Sequence, residues 1–236
     1  MNPMINHLEF GDREEQAEVL ARVIAAQLRA AIKARDNASL VVSGGSTPIA
    51  MFNTLSTLEI PWSNVTVLLA DERWVPPDHP DSNQALVEKH LLQNAAASAR
   101  FVPLWNDATS LDANIAACNK SLTQHARTFD VVVLGMGDDG HTASLFPCAP
   151  PAELADALAP HHNESCMAMH PSYAPHARIT LSYPRLLDTR RLLLQICGEK
   201  KQQVLAEALG GSDIGAMPVR AFLKQHERPL DIYFSA

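Results

Sequence analysis

Four short apolar runs, each stopped by glycine or by charge, limit what this chain can fold into. They are Leu40–Val42 before SGGSTP, Val65–Ala70 before Asp71-Glu72-Arg73, Val131–Leu134 before Gly135-Met136-Gly137, and Leu192–Ile196 before Gly198-Glu199-Lys200-Lys201. Each is too short for a helix and lacks the alternation of a half-exposed strand. Such runs belong to parallel strands covered on both faces. A helix must separate successive parallel strands, and residues 12–35 provide the first. Val19, Val23, Ile24, Leu28 and Ile32 recur there at helical spacing, with acidic residues at the start and basic ones at the end. The chain therefore reads as α/β, and 236 residues suffice for one such domain with a substantial core.

The remaining punctuation divides the chain further. Ser46 or Thr47 is placed to cap a helix beginning at Pro48, and Ser82 or Asn83 to start another after the rigid Pro76-Pro77…Pro80 segment. Residues 84–126 read as two helices around an extended piece at Phe101–Leu104, and residues 148–163 as a proline-punctuated excursion with one helical turn. Strands are expected at Cys166–Met169, Arg178–Ser182 and Leu192–Ile196, a helix from Gly198 through Leu209, a last helix near Val219–Gln225 and a strand at Asp231–Phe234. No repeat or linker divides the chain.

Several function classes are disfavoured. A net charge of −7 with no Lys/Arg-rich run argues against nucleic acid as a partner. No apolar stretch reaches the length of a membrane span, and residues 1–16 lack the pattern of a signal peptide, so the cytoplasm is the expected compartment. Cys118, Cys148, Cys166 and Cys197 are widely spaced, which suits reduced thiols better than a disulfide framework or a zinc site. His161, His162, His170 and His176 fit no metal-ligand spacing and read as surface loop residues.

The chemistry concentrates where the apolar runs end, because ligands of open α/β sheets bind at the carboxyl ends of the strands. His141, with Asp138 and Asp139 beside it, is a candidate general base; an imidazole's ordinary pKa is about 6.5. Gly135 to Gly140 also spells G-x-G-x-x-G, but two aspartates would stand where a dinucleotide's pyrophosphate belongs. Gly44-Gly45-Ser46-Thr47 is a glycine-rich strand-to-helix turn able to cradle phosphate, without the lysine of a Walker loop. Asp71, Glu72 and Arg73 are hard to justify by packing and should reach a ligand or each other. Lys200 and Lys201 oppose the dipole of the helix they open, a conflict that marks an anion site.

Taken together, SGGSTP, LADERWVP with HPDSN, GMGDDGHTASLFP and GEKK resemble the 6-phosphogluconolactonases, within the larger group that also holds the glucosamine-6-phosphate deaminases. The resemblance spans about residues 40–205. It implies one three-layer α/β domain over residues 1–236 resembling a Rossmann fold, with a mostly parallel central sheet and helices on both faces. It also implies hydrolysis of 6-phospho-D-glucono-1,5-lactone, the second oxidative step of the pentose phosphate pathway, without a cofactor. His141 would activate water and Asp139 would orient the imidazole. Arg73 would stabilise the oxyanion, with Asp71 positioning Arg73 or the sugar hydroxyls. The Gly44–Thr47 turn, Lys201 and Arg178 would bind the phosphate of a small sugar-phosphate substrate.

The deaminase branch resembles DGHIAFNEP, with a glutamate five residues after the histidine. Phe146 stands at that position here, so a proton carrier of amino-sugar chemistry is missing. A non-catalytic sugar-phosphate sensor would be expected to bring a helix-turn-helix, for which the chain has no room. The sequence leaves open a monomer or a small homo-oligomer, and which group protonates the leaving ring oxygen.

Overall fold

A computed structural model describes residues 4–124 and 128–236. Seven strands form the main sheet: β1 (Ile5–Phe10), β2 (Ala38–Val42), β3 (Val65–Leu69), β5 (Arg100–Val102), β6 (Val131–Leu134), β9 (Leu192–Cys197) and β10 (Leu230–Ser235). Their order is β1-β10-β9-β6-β2-β3-β5, with every neighbouring pair parallel. All residues of β6, β9 and β10 are buried. Alternate strand side chains point to opposite faces, so complete burial means that both faces are covered.

The main helical cover is α1 (Arg13–Arg35), whose first turn is capped by Asp12 accepting the Glu15 N–H at 2.8 Å. Its buried stripe is Leu20, Ile24 and Leu28 with Ala17, Ala21, Ala25 and Ala31. Val19, Val23 and Ile32 lie half-buried at its margin, so the packed face is rotated from the one expected. The alanines explain this: small side chains let α1 sit close to the sheet and to α2 (Ile49–Thr57). Buried Gln16 binds where β9 and β10 end, donating to the carbonyls of Ile196 and Tyr233 at 2.9 Å each.

Three short strands leave the main sheet. β4 (Asp71–Arg73), β7 (Cys166–Met169) and β8 (Arg178–Leu181) form an antiparallel sheet in the order β4-β8-β7. The transfer happens at Ala70, whose N–H donates to Val42 and whose carbonyl accepts from Leu181. The charged triplet expected to close one strand is therefore a strand of a second sheet, set at the end of β3. The connections after β2 lead toward β3 and β5, while those after β6 lead toward β9 and β10. The reversal lies between β2 and β6, which is where an open parallel sheet leaves a crevice.

The other helices are α3 (Asn83–His90), α4 (Leu111–Gln124), α5 (Pro151–Leu158), α6 (Tyr183–Leu187), α7 (Glu199–Gly210) and α8 (Val219–Lys224). The helix expected up to residue 126 is described to Gln124; residues 125 and 126, like the first three of the chain, lie outside the described residues. β1 and α6 are elements without a sequence expectation. β1 (INHLEF) mixes polar with apolar residues because it is an edge strand, and α6 is a five-residue helix with proline in its first turn.

Glu72 turns away from the crevice and organises α3. It is fully buried and accepts from the N–H groups of Arg73, Asn83 and Gln84 at 2.7, 2.8 and 2.7 Å, and from the Ser82 hydroxyl at 3.1 Å. Burial pushes its carboxyl above the ordinary carboxylate range, although the backbone donors pull the other way. Glu72→Ala would strand these donors in the interior. It is expected to cost about 3 kcal/mol, read as a lower urea midpoint. A change below about 0.5 kcal/mol would mean that water replaces the carboxylate without loss.

Candidate active site

The crevice between β2 and β6 holds a cavity of about 280 Å³. The turn after β2 supplies Gly44 to Thr47, β4 supplies Asp71 and Arg73, the loop after β6 supplies Gly137 and His141, and the start of α7 supplies Lys201. Residues far apart in sequence thus line one space.

The loop after β6 is tied at several points. Gly137 donates to the His141 carbonyl at 2.8 Å, Gly140 donates to Gly137 at 3.2 Å, and the Thr142 hydroxyl donates to Gly135 at 2.7 Å. Gly140 has φ +78° with Met217 packed against its Cα, a position no larger residue could take without strain. The loop folds Asp139 back on His141: Oδ1 accepts from Nδ1 at 2.5 Å and from the backbone N–H at 3.1 Å. An ionised carboxylate can only accept, so Nδ1 carries the proton and Nε2 keeps its lone pair. Burial acts to raise the Asp139 carboxyl, but the bonds and charge of His141 outweigh it and hold the group below its ordinary range. Phe146 lies on the imidazole with ring centroids 4.1 Å apart.

Four expectations need correction. Asp71 does not hold Arg73: its Oδ2 accepts from the buried Ser144 hydroxyl at 2.6 Å, and the Arg73 Nη1 donates to the backbone carbonyl of Asp81. A short strand points neighbouring side chains to opposite faces, but Asp71 and Arg73 are next-nearest, and each reaches the cavity with its own support. Neither Ser46 nor Thr47 caps α2. Pro48 is its N-cap residue and no side chain bonds there, so both hydroxyls line the cavity without a helix to serve.

Arg178 does not line the cavity. It is buried opposite Arg73 in the β4–β8 pairing, with its guanidinium 5.5 Å from the centre of the Phe146 ring. Burial first, and then the charge of Arg73, lower its pKa. Its place is behind Phe146, supporting the ring that covers His141. Finally, the anion expected at the two lysines is in part the protein's own, although Lys201 also lines the cavity. Asp138 accepts from Lys200 and from Lys201, the latter at 2.6 Å, and Lys200 first and Lys201 second bring its pKa to about 2. An acid depressed from 3.8 stabilises the fold above about pH 4 and loses that contribution as pH falls toward 2. Half-exposed carboxylates keep it small.

Two further residues reach the site without having been assigned a role there from the sequence. Asn83 donates to the Asp71 carbonyl at 2.9 Å, while its Oδ1 is buried, has no partner and belongs to a side chain lining the cavity. That oxygen is an acceptor available to a ligand hydroxyl. Gly137 leaves room for the His141–Asp139 pair: a Cβ there would lie 2.0 Å from the His141 ring. Asn83, the asparagine of HPDSN, and the glycines of the loop were visible as motif letters, but their contacts depend on the folded chain.

The fold and cavity define a class: an α/β protein with a histidine–aspartate pair, an arginine and a glycine-rich turn at the switch point of its sheet. Comparison with known proteins narrows it. The profile described as glucosamine-6-phosphate isomerases/6-phosphogluconolactonase matches residues 11–230, and the chain belongs to this family. A 6-phosphogluconolactonase of Rhizobium meliloti is 46% identical over 96% of this chain and 97% of its own. One from Pseudomonas putida is 44% identical over 96% of this chain and 91% of its own. The crystal structure of a 6-phosphogluconolactonase from Shewanella baltica OS155 superposes with a TM-score of 0.96 at 46% identity, covering all of both chains.

Proposed function

We propose that this protein hydrolyses 6-phospho-D-glucono-1,5-lactone to 6-phospho-D-gluconate, acting as one domain over residues 1–236 in the oxidative pentose phosphate pathway. The observation that carries the reading is the His141–Asp139 pair on the same cavity as Arg73 and the Gly44–Thr47 turn. The 6-phosphogluconolactonases that are 44–46% identical to this chain support it. Among the described residues no helix is long and apolar enough to cross a membrane, and all four cysteines are free thiols, which suits the reducing cytoplasm.

In this reading the substrate phosphate rests on the backbone N–H groups and hydroxyls of the Gly44–Thr47 turn, with Lys201 supplying charge. His141 Nε2 takes a proton from water as its oxygen attacks the lactone carbonyl carbon. Arg73 stabilises the oxyanion of the tetrahedral intermediate. Collapse breaks the bond from that carbon to the ring oxygen, which leaves as a hydroxyl after taking up a proton, and the carbonyl carbon becomes the carboxylate. Phe146, stacked on the imidazole, occupies the position where the deaminase branch carries a glutamate, so the second proton carrier of ring opening is absent.

The decisive assay measures hydrolysis of freshly generated lactone with and without the protein, coupled to 6-phosphogluconate dehydrogenase, beside ammonia release from glucosamine-6-phosphate. Acceleration of the first alone is expected. Ammonia release would move the protein to the deaminase branch, and no rate in either would leave a sugar-phosphate binder. Lys201→Ala is expected to raise KM about tenfold or more with little change in kcat, because ground-state phosphate binding is lost. An unchanged KM would mean that Asp138, not substrate, is the partner of Lys201.

A further inference from the structure

We infer that His79, Asp81 and His176 form a binding site for one divalent transition-metal ion, with zinc the best fit. His79 and Asp81 belong to the proline-rich loop after β4, and His176 precedes β8. Nearly a hundred residues separate them, so no spacing rule on the sequence could pair them. Folding brings one ligand atom from each within 4.8 Å of the others. The Asp81 Oδ2 is 2.9 Å from His176 Nε2 and 4.0 Å from His79 Nδ1, and the two imidazoles meet edge to face at 5.1 Å.

The donor set is the argument for the metal class. Two imidazoles and a carboxylate suit zinc and its neighbours, whereas calcium and magnesium require oxygen ligands. Zinc bonds of about 2.0–2.2 Å in a tetrahedral arrangement put ligand atoms about 3.3–3.5 Å apart. The 2.9 and 4.0 Å separations lie on either side of that value, and His79 would exchange the Asp81 N–H that its Nδ1 accepts at 3.1 Å for the ion, or turn Nε2 inward. Both imidazoles are partly sheltered while Asp81 is half exposed, which leaves a side open for water as the fourth ligand.

The backbone under the site is held. Pro76, Pro77 and Pro80 restrict the loop, and turns link Pro76 to His79 and His79 to Ser82. His176 sits at φ +68°, a left-handed conformation that a non-glycine residue keeps only when its surroundings impose it. The neighbouring Ala177 carbonyl accepts from Trp74 at 2.8 Å, which ties the two loops together. The site also adjoins the cavity, because the Asp81 carbonyl is the acceptor that holds Arg73.

The test is direct metal binding, independent of the proposed reaction. Metal-stripped protein is titrated calorimetrically with zinc chloride, alongside His176→Ala, His79→Ala and His141→Ala. Wild type and His141→Ala are expected to bind one equivalent, with affinity falling about tenfold or more in each of the other two variants. Cobalt(II) added to wild type should give the intense visible absorption of a tetrahedral site, and His176→Ala should not. Thermal melting of the stripped proteins checks that each variant is folded. Zinc lost only with His141→Ala would place the ion on the catalytic imidazole and overturn the inference, as would no stoichiometric binding by wild type. Failure of the lactonase assay would leave this result untouched.

Discussion

His141→Ala is expected to lower kcat for lactone hydrolysis about 10²–10⁴-fold, the usual contribution of a positioned general base, with KM changed by no more than about twofold. The imidazole touches neither the glycine-rich turn nor Lys201 in the contacts described, so substrate binding should survive its removal. Asp139→Asn should give a smaller loss. An amide can still meet Nδ1, but it offers a donor as readily as an acceptor and carries no charge to balance the imidazolium. Because Asp139 is held below the ordinary carboxylate range, it stays ionised as pH falls through the weakly acidic region. Loss of rate there would therefore not arise from protonation of this carboxyl. The check is a kcat and KM determination for both variants in the coupled assay. Near-normal turnover in His141→Ala would remove it as the base.

Gly137→Ala is the second large effect, and the less obvious one. The new Cβ would fall 2.0 Å from both Cε1 and Nδ1 of His141 and 2.8 Å from Asp139 Oδ1, far inside contact distance. The imidazole must move or the loop must open, and either breaks the 2.5 Å bond that fixes the tautomer. The Gly137 backbone itself is not in the left-handed region, so alanine should fold. We expect kcat to fall about 10²-fold or more, since misplacement of a catalytic group by about 1 Å costs on that order. The thermal midpoint should move by only a few degrees, as for a change of about 1 kcal/mol. A kcat near wild type would show that the ring relaxes freely and that the pair is not preorganised.

The comparison of sequence with structure turns on range. What residues decide locally was legible: mainly apolar runs at β2, β3, β6 and β9 announced buried parallel strands, and glycine or charge announced their ends. The Asp139–His141 contact was legible too, because the two residues are two positions apart and their loop makes its own bonds. The motifs at four strand ends, taken together, carried the family. Tertiary structure decided the partners. Asp71 met Ser144 instead of Arg73, Arg178 settled behind Phe146, Lys201 found Asp138, and Glu72 joined Ser82 in satisfying the first turn of α3. β1 became a strand only through β10, from the other end of the chain. His79 and His176 came together only across the β4–β8 pairing. Propensity and periodicity act over one helix turn or one strand, whereas a charged side chain takes whichever partner the packed chain brings within about 3 Å.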